Sequence, residues 1–413
     1  MTHSKQCRNF KRNRVTKGFF TQYFFTLILV TQGFLFGASL SHAETGLDGI
    51  LLRGFGSAGA ISTTEPIGLG DYGGRGTQLN LTTPLRLGLN ASSKINEKLG
   101  VRGQFSASSS NSGQFTPQFD WGFVGWDAFS WLQIRGGRII APIWVNSQQI
   151  DVGYSYIWYR PPVEVYSLNT IRSLNGASAL FQGNLGPGFL TMDLYGGEGT
   201  HSFSQNAANG SQTTVKTRDG WGVATSYSML DESLVLGATY SQAHVEAFVD
   251  IPTEIAGAAL GQEAGVSLVV PVRKRVDTTF GSFYSFSLNY EQEGFLFFSE
   301  YARRQLNGLN YPDSQGVYAT LGYRIEEFTP HVTMAQNFGI TGNANYHPKF
   351  PSAAVFDPAI QLNKIQSIGL GLNFMPVDSV VIKGAASKVQ MAYTDTTQNF
   401  NFWVFSLVSD FVF

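Results

Sequence analysis

The sequence predicts an all-β fold, a transmembrane antiparallel β-barrel of about sixteen strands. Three observations lead there. First, only 14% of the 413 residues are charged, while 14% are aromatic and 46 are glycine. Second, apolar and polar residues alternate with a period of two. Third, short turns alternate regularly with long polar connections. The low charge excludes a disordered polyelectrolyte and offers no basic footprint for nucleic acid. The mean hydropathy of -0.04 is too low for a helical membrane bundle.

Residues 1–17 carry Lys5, Arg8, Lys11, Arg12, Arg14 and Lys17 and no acid. Residues 18–40 are mostly apolar, and Ser41, His42 and Ala43 follow. This is the order of a secretory signal peptide, with cleavage expected after Ala43. An uncleaved anchor is the rival reading, weakened by Gln22 and Gln32. Cleavage leaves residues 44–413 as a single barrel domain and removes Cys7, the only cysteine, so no disulfide framework is expected. It also leaves 22 basic and 29 acidic residues, a net charge of −7.

The last segment alternates most clearly. Trp403, Phe405, Leu407, Phe411 and Phe413 share one face, with Ser406 and Asp410 on the other. Ile368, Leu370, Leu372 and Phe374 oppose Ser367, Gly369, Gly371 and Asn373. Leu85, Leu87 and Leu89 oppose Arg86, Gly88 and Asn90, and Leu99, Val101 and Phe105 oppose Arg102, Gln104 and Ser106. Strands are expected at 50–57, 85–94, 98–108, 118–126, 130–138, 177–183, 188–197, 220–229, 233–246, 278–290, 295–303, 315–325, 330–337, 366–374, 380–390 and 400–413.

Tight turns are expected at 94–98, 127–130, 184–188, 229–233, 291–294, 326–330 and 375–379, each holding Pro, Gly, Asp, Asn or Ser. Long connections are expected near 58–84, 109–117, 139–176, 198–219, 247–277, 304–314, 338–365 and 391–399. Lipid offers no hydrogen bonds, so every strand must pair on both sides and the first must meet the last. Tyr227, Tyr240, Tyr290, Tyr301, Tyr323 and Phe374 are candidates for aromatic girdles at the interfaces.

The terminal strand, with Phe411 and Phe413 at alternate positions, resembles the carboxy-terminal assembly signal of Gram-negative outer-membrane barrels. With the leader, the cysteine-free mature chain and the strand count, residues 44–413 are similar to a trimeric porin. The resemblance implies a Gram-negative outer-membrane location, a homotrimer, contact with lipid and lipopolysaccharide, and passive diffusion of small hydrophilic solutes or ions. It implies no cofactor or metal. It also implies that the third long connection, 139–176, folds into the barrel and narrows the pore. That segment carries Trp144, Tyr154, Tyr156, Trp158, Tyr159 and Tyr166, and is stiffened by Pro161 and Pro162. The Arg160-Pro161-Pro162 run also looks similar to phosphate-selective and dicarboxylate-type porins, a likeness that carries no substrate across.

Charged rings and pore width set selectivity in such channels. Arg86 and Arg102 fall on the polar faces of neighbouring strands. Arg135 opposes the face of Leu132 and Ile134, and Arg138 ends that strand. The porin pattern sets such an arginine row against acids on the inserted loop, here Asp151 and Glu164, with Arg160 beside them. The alternative is that these are ordinary water-facing residues. Arg273, Lys274 and Arg275 fall in a long connection or at the start of the next strand, where lipopolysaccharide phosphates or water would meet them.

Two other classes stay open: a barrel enzyme of lipase or protease type, and a structural or adhesive barrel without a conducting pore. The mature histidines, His201, His244, His331 and His347, show no metal-ligand spacing, and no Ser–His–acid set is legible. An enzyme is therefore not expected. Gly68, Gly70 and Gly73 match G-x-G-x-x-G but lack the βαβ context of a nucleotide site.

Overall fold

The computed structural model describes residues 49–65, 78–82, 84–109, 115–169, 171–206, 211–256, 267–307, 313–340, 362–393 and 399–413. The expected signal peptide (1–43), the glycine motif at 68–73 and His347 lie outside the described residues.

The described residues form sixteen strands: β1 (Ile50–Thr63), β2 (Arg86–Lys94), β3 (Leu99–Ser109), β4 (Phe115–Phe129), β5 (Leu132–Ile140), β6 (Ser173–Leu185), β7 (Gly188–Asn206), β8 (Ser211–Met229), β9 (Leu234–Ala256), β10 (Ser267–Gln292), β11 (Phe295–Asn307), β12 (Asp313–Tyr323), β13 (Phe328–Ile340), β14 (Leu362–Val377), β15 (Val380–Tyr393) and β16 (Asn399–Val412). Every strand pairs antiparallel with its sequence neighbours, and β1 pairs with β16 from Phe55↔Val412 to Thr63↔Val404, so the barrel is closed. The Phe411 ring crosses this seam to cover Gly56, where a Cβ would lie 2.4 Å from its Cζ.

The exterior is apolar. Leu87, Leu89, Val101, Phe105, Val124, Trp126, Leu370 and Leu372 are exposed. An exposed apolar band around a closed sheet is what hydrocarbon solvates and water does not. Aromatic residues gather at the short-turn end. Phe129 stacks on Trp131 at 5.2 Å, Phe328 stacks on Phe374 at 4.9 Å, and Tyr290 contacts Phe295 at 6.0 Å. The Tyr227 hydroxyl donates to the Leu185 carbonyl at 2.7 Å. Tyr240, by contrast, sits well above this rim, paired with Tyr284 and Val223.

Two expected connections are corrected. The 198–219 and 247–277 stretches are mostly strand: β7 and β8 run on to Asn206 and Ser211, and β9 and β10 to Ala256 and Ser267. β9 has 23 residues and β10 has 26, against the ~9–11 that cross a bilayer. The excess carries the sheet past the length that a bilayer spans. Polar sequence there marks departure from the lipid, not departure from the sheet. Pro252 and Pro271, which read as loop signals, are cross-strand neighbours in this extension. Arg273, Lys274 and Arg275 lie in β10, opposite Asp250, Val249 and Phe248.

The interior also departs from a simple polar lining. Ile61, Ile365, Val389, Met391, Phe402 and Val404 form one buried apolar cluster on the lumen side of β1 and β14–β16. A second joins Phe283, Leu296, Ala302, Tyr318 and Ala335 of β10–β13 to Ile143, Trp144, Trp158 and Val165 of the β5–β6 connection. Both clusters exist because that connection fills part of the barrel.

Candidate pore constriction

Between Ile140 and Ser173 the chain enters the lumen and packs against most of the wall. Its first limb lies on β9–β11. The Thr239 hydroxyl donates to the Pro142 carbonyl at 3.3 Å, Ser285 donates to Ile143 at 3.0 Å, and the Val145 amide donates to Glu300 at 3.1 Å. Trp144 meets Phe283 edge-on at 4.8 Å and stacks on Tyr166 at 4.8 Å. The hydroxyls of Tyr166 and Tyr318 face the Glu300 carboxyl.

The middle of the loop is a single 3-10 turn, Gly153–Ser155. It settles on the seam: a Cβ at Gly153 would lie 2.3 Å from Asp410 Oδ1 and 2.8 Å from Ser57 Oγ. No side chain fits there, which is the sequence reason for glycine. The Lys383 ammonium donates to the carbonyls of Gly153, Tyr156 and Trp158 at 2.6, 2.6 and 2.9 Å. Asp410 stands 2.9 Å away as its counter-charge. Both side chains are buried, Lys383 at 2% exposure and Asp410 at 0%.

The last limb returns along β11–β14. Trp158 Nε1 donates to the Thr320 and Thr333 hydroxyls at 2.9 and 3.0 Å, and the indole meets Tyr318 and Phe298 edge-on. Asn373 donates to the Ile157 carbonyl at 2.8 Å. The helix α1 (Val163–Tyr166) follows the two prolines and rests on β12 and β13, where Asn337 donates to the Glu164 carbonyl at 2.8 Å. Burial pushes the phenols of Tyr156, Tyr159 and Tyr166 up, so they stay protonated in neutral water.

The structure sorts the sequence-derived charges into groups. Asp151 is held by Arg86 at 3.2 Å and by Arg172 at 2.7 Å. Arg86, Ser57 and Asp410 are direct cross-strand neighbours on β2, β1 and β16, so seating Gly153 on that row brings Asp151 to Arg86. Arg135 pairs with Asp193 of β7 at 3.6 Å and lies over Phe123 at 5.3 Å. Arg102 is exposed and close enough to Arg135 to repel it.

The remaining three sit elsewhere. Arg138 closes its strand end, donating to the Asp120 carbonyl at 2.9 Å and the Ser173 hydroxyl at 3.0 Å. Arg160 lies over Tyr159 at 5.2 Å. Glu164, within α1, is buried at 2% exposure and is not brought to Arg86, because the helix rests on β12 and β13.

Sequence reasoning missed Lys383 and Asp410 as the loop's anchor on the wall, Arg172 as a second partner of Asp151 within the loop, and Asp193 as the partner of Arg135. One signal was available. Both faces of the last strand are apolar in places, with Phe402, Val404 and Val408 beside Ser406 and Asp410, which a water-filled lumen would not need. An acid beside His244 was missed as well: Asp219 stands 3.6 Å from Nδ1, brought close by the register shift between Arg218 and Trp221.

Between the loop and the wall lies a cavity of about 550 Å³, lined among others by Thr191, Asp193, Thr239, Ser287, Asn289 and Trp158. Its wall side is rich in hydroxyls and amides and its loop side is partly aromatic.

No protein-family model and no curated protein matches the sequence. Solved structures do match. The outer-membrane channel DcaP of Acinetobacter baumannii aligns with TM-score 0.54 at 12% identity, over 89% of this chain and 99% of that one. Salmonella typhi OmpF, solved with daunomycin, aligns with TM-score 0.53 at 12% identity, over 88% and 97%. The chain has the porin fold. An anion-selective porin from Comamonas acidovorans aligns with TM-score 0.51 at 11% identity, over 88% and 99%. At these identities the likeness is one of fold, and it covers nearly the full length of each neighbour. Within this fold, the β5–β6 connection is the element that packs inside the barrel here.

Proposed function

We propose that this chain is an outer-membrane porin that passes small hydrophilic solutes or ions passively down their gradient. The observation that carries this reading is a closed barrel, apolar outside, whose lumen holds one packed loop and a polar cavity beside it. A closed sheet with an exposed apolar band needs lipid, and a polar cavity inside it needs water. Export through a leader cleaved after Ala43, insertion into the Gram-negative outer membrane with Phe411 and Phe413 as assembly signal, contact with lipopolysaccharide, and a homotrimeric state belong to the same proposal. The proposed role is transport, not catalysis. The neighbouring channel and anion-selective porin support it through their fold.

Planar-bilayer recording of the refolded chain tests the reading. Stepwise conductance in threes is expected, and liposomes carrying the protein should swell in sugars and organic acids. A chain that inserts and never conducts would return the structural-barrel alternative. Lipase or protease activity in the same preparation would return the enzyme.

Arg86, Arg102 and Arg135 place cationic groups on one side of the lumen, and arginine keeps its charge at any working pH. Arg102→Ala and Arg86→Ala are each expected to shift the reversal potential in a salt gradient toward cation preference. The shift should be larger for Arg102, since Arg86 is neutralised by Asp151. Unchanged reversal potentials would remove both from the filter.

A further inference from the structure

The buried pair of Lys383 and Asp410 has a geometry that a wall-stabilising ion pair does not require. The ammonium has three N–H bonds. Its three hydrogen-bond acceptors are all carbonyls of the inserted loop, and all fall within residues 153–158. Asp410, 2.9 Å from the ammonium, is its counter-charge on the wall. The ammonium also lies 4.9 Å from the Tyr156 ring. Without the loop this lysine would point into water with no partner but Asp410.

The seat lies beside the seam, and its position controls the charged constriction. Gly153 contacts Asp410 and Ser57. Ser57 is directly opposite Arg86 on the neighbouring strand. Two residues earlier in the loop, Asp151 meets Arg86. Loss of the seat would therefore separate Asp151 from Arg86 and let the middle of the loop leave the wall.

We infer that Lys383 is a positioning residue that sets the cross-section and the noise of the pore by holding loop residues 153–158 against β15 and β16. It is buried at 2% exposure and acts through the loop. This rests on the porin reading and adds to it a wall side chain that fixes the width.

Bilayer recording of the refolded full chain tests it with three variants. Lys383→Met removes the donors. Lys383→Met/Asp410→Leu removes the donors and leaves no lone buried charge. Gly153→Val leaves the wall lysine in place and blocks the seat from the loop side. All three are expected to raise unit conductance roughly twofold and to add open-channel flicker, with an altered reversal potential. Far-UV circular dichroism and the heat-modifiable gel shift check assembly.

Agreement between Gly153→Val and the double variant assigns the effect to the loop's position, since a purely structural lysine would leave conductance unchanged in the double variant. Assembled variants with wild-type conductance overturn the inference while the porin reading stands. Failure of all three to assemble also overturns it, because the pair would then serve closure of the barrel. A wild-type chain that does not conduct overturns the porin reading instead.

Discussion

Replacing Gly59 by valine is expected to keep the barrel from closing. Gly59 faces Val408 across the seam between the first and last strands. A Cβ there would lie 2.3 Å from the Leu407 carbonyl oxygen and 2.6 Å from Val408 Cα. These are backbone atoms in a hydrogen-bonded ladder, so they cannot rotate away as a side chain would. Overpacking of this kind costs about 3 kcal/mol or more, the upper end of its usual range. The cost falls where the sheet has no substitute partner in lipid. Gly183→Val is the control, since a Cβ there meets nothing within 4 Å. The folded fraction after refolding into detergent or vesicles, read by the heat-modifiable gel shift, should collapse for Gly59→Val and stay near wild type for Gly183→Val. Equal yields would mean that the seam is looser than its register implies.

Asp410→Ala should be the most destabilising single change within the loop's anchor. It leaves the Lys383 ammonium buried without a counter-charge, and removing one partner of a buried pair costs about 3–5 kcal/mol. The double variant Lys383→Met/Asp410→Leu should lose less than Asp410→Ala alone, because two apolar side chains leave no charge to desolvate. The midpoint of urea unfolding for the vesicle-inserted protein reads both, at constant slope. Additive losses would show that the two side chains do not act as a pair. A wild-type midpoint for Asp410→Ala would show that water reaches the site. Stability and conductance should part company here: the double variant regains midpoint while its loop remains unseated.

Period-two alternation in Leu85–Leu89, Ile368–Phe374 and Trp403–Phe411 identified the lipid face, because lipid and lumen impose opposite solvents on successive residues. The turns at Asn184–Gly188 and Met229–Ser233 announced themselves through residues that tolerate tight backbone, and Leu230, Asp231 and Glu232 all adopt positive φ. Loop 139–176 stood out by its aromatic content, which a solvated loop has no use for. The ends of β7–β10 were less legible, since outside the bilayer a strand can be polar on both faces. The candidate site was legible only in part. Arg86 and Asp151 were visible as charges, but Lys383, Asp410, Arg172 and Asp193 carry no local pattern that names their partners.

Composition and alternation in the sequence alone determined that the chain forms an all-β barrel of about sixteen strands with one aromatic loop set apart from the rest. Tertiary structure alone decided which charges meet, which of them are buried, and where the loop lies across the lumen. Alternation is written residue by residue by the solvent on each side of a sheet. A contact such as Lys383 with Gly153 spans 230 residues, and exists only after closure has brought β15 and β16 around to the loop.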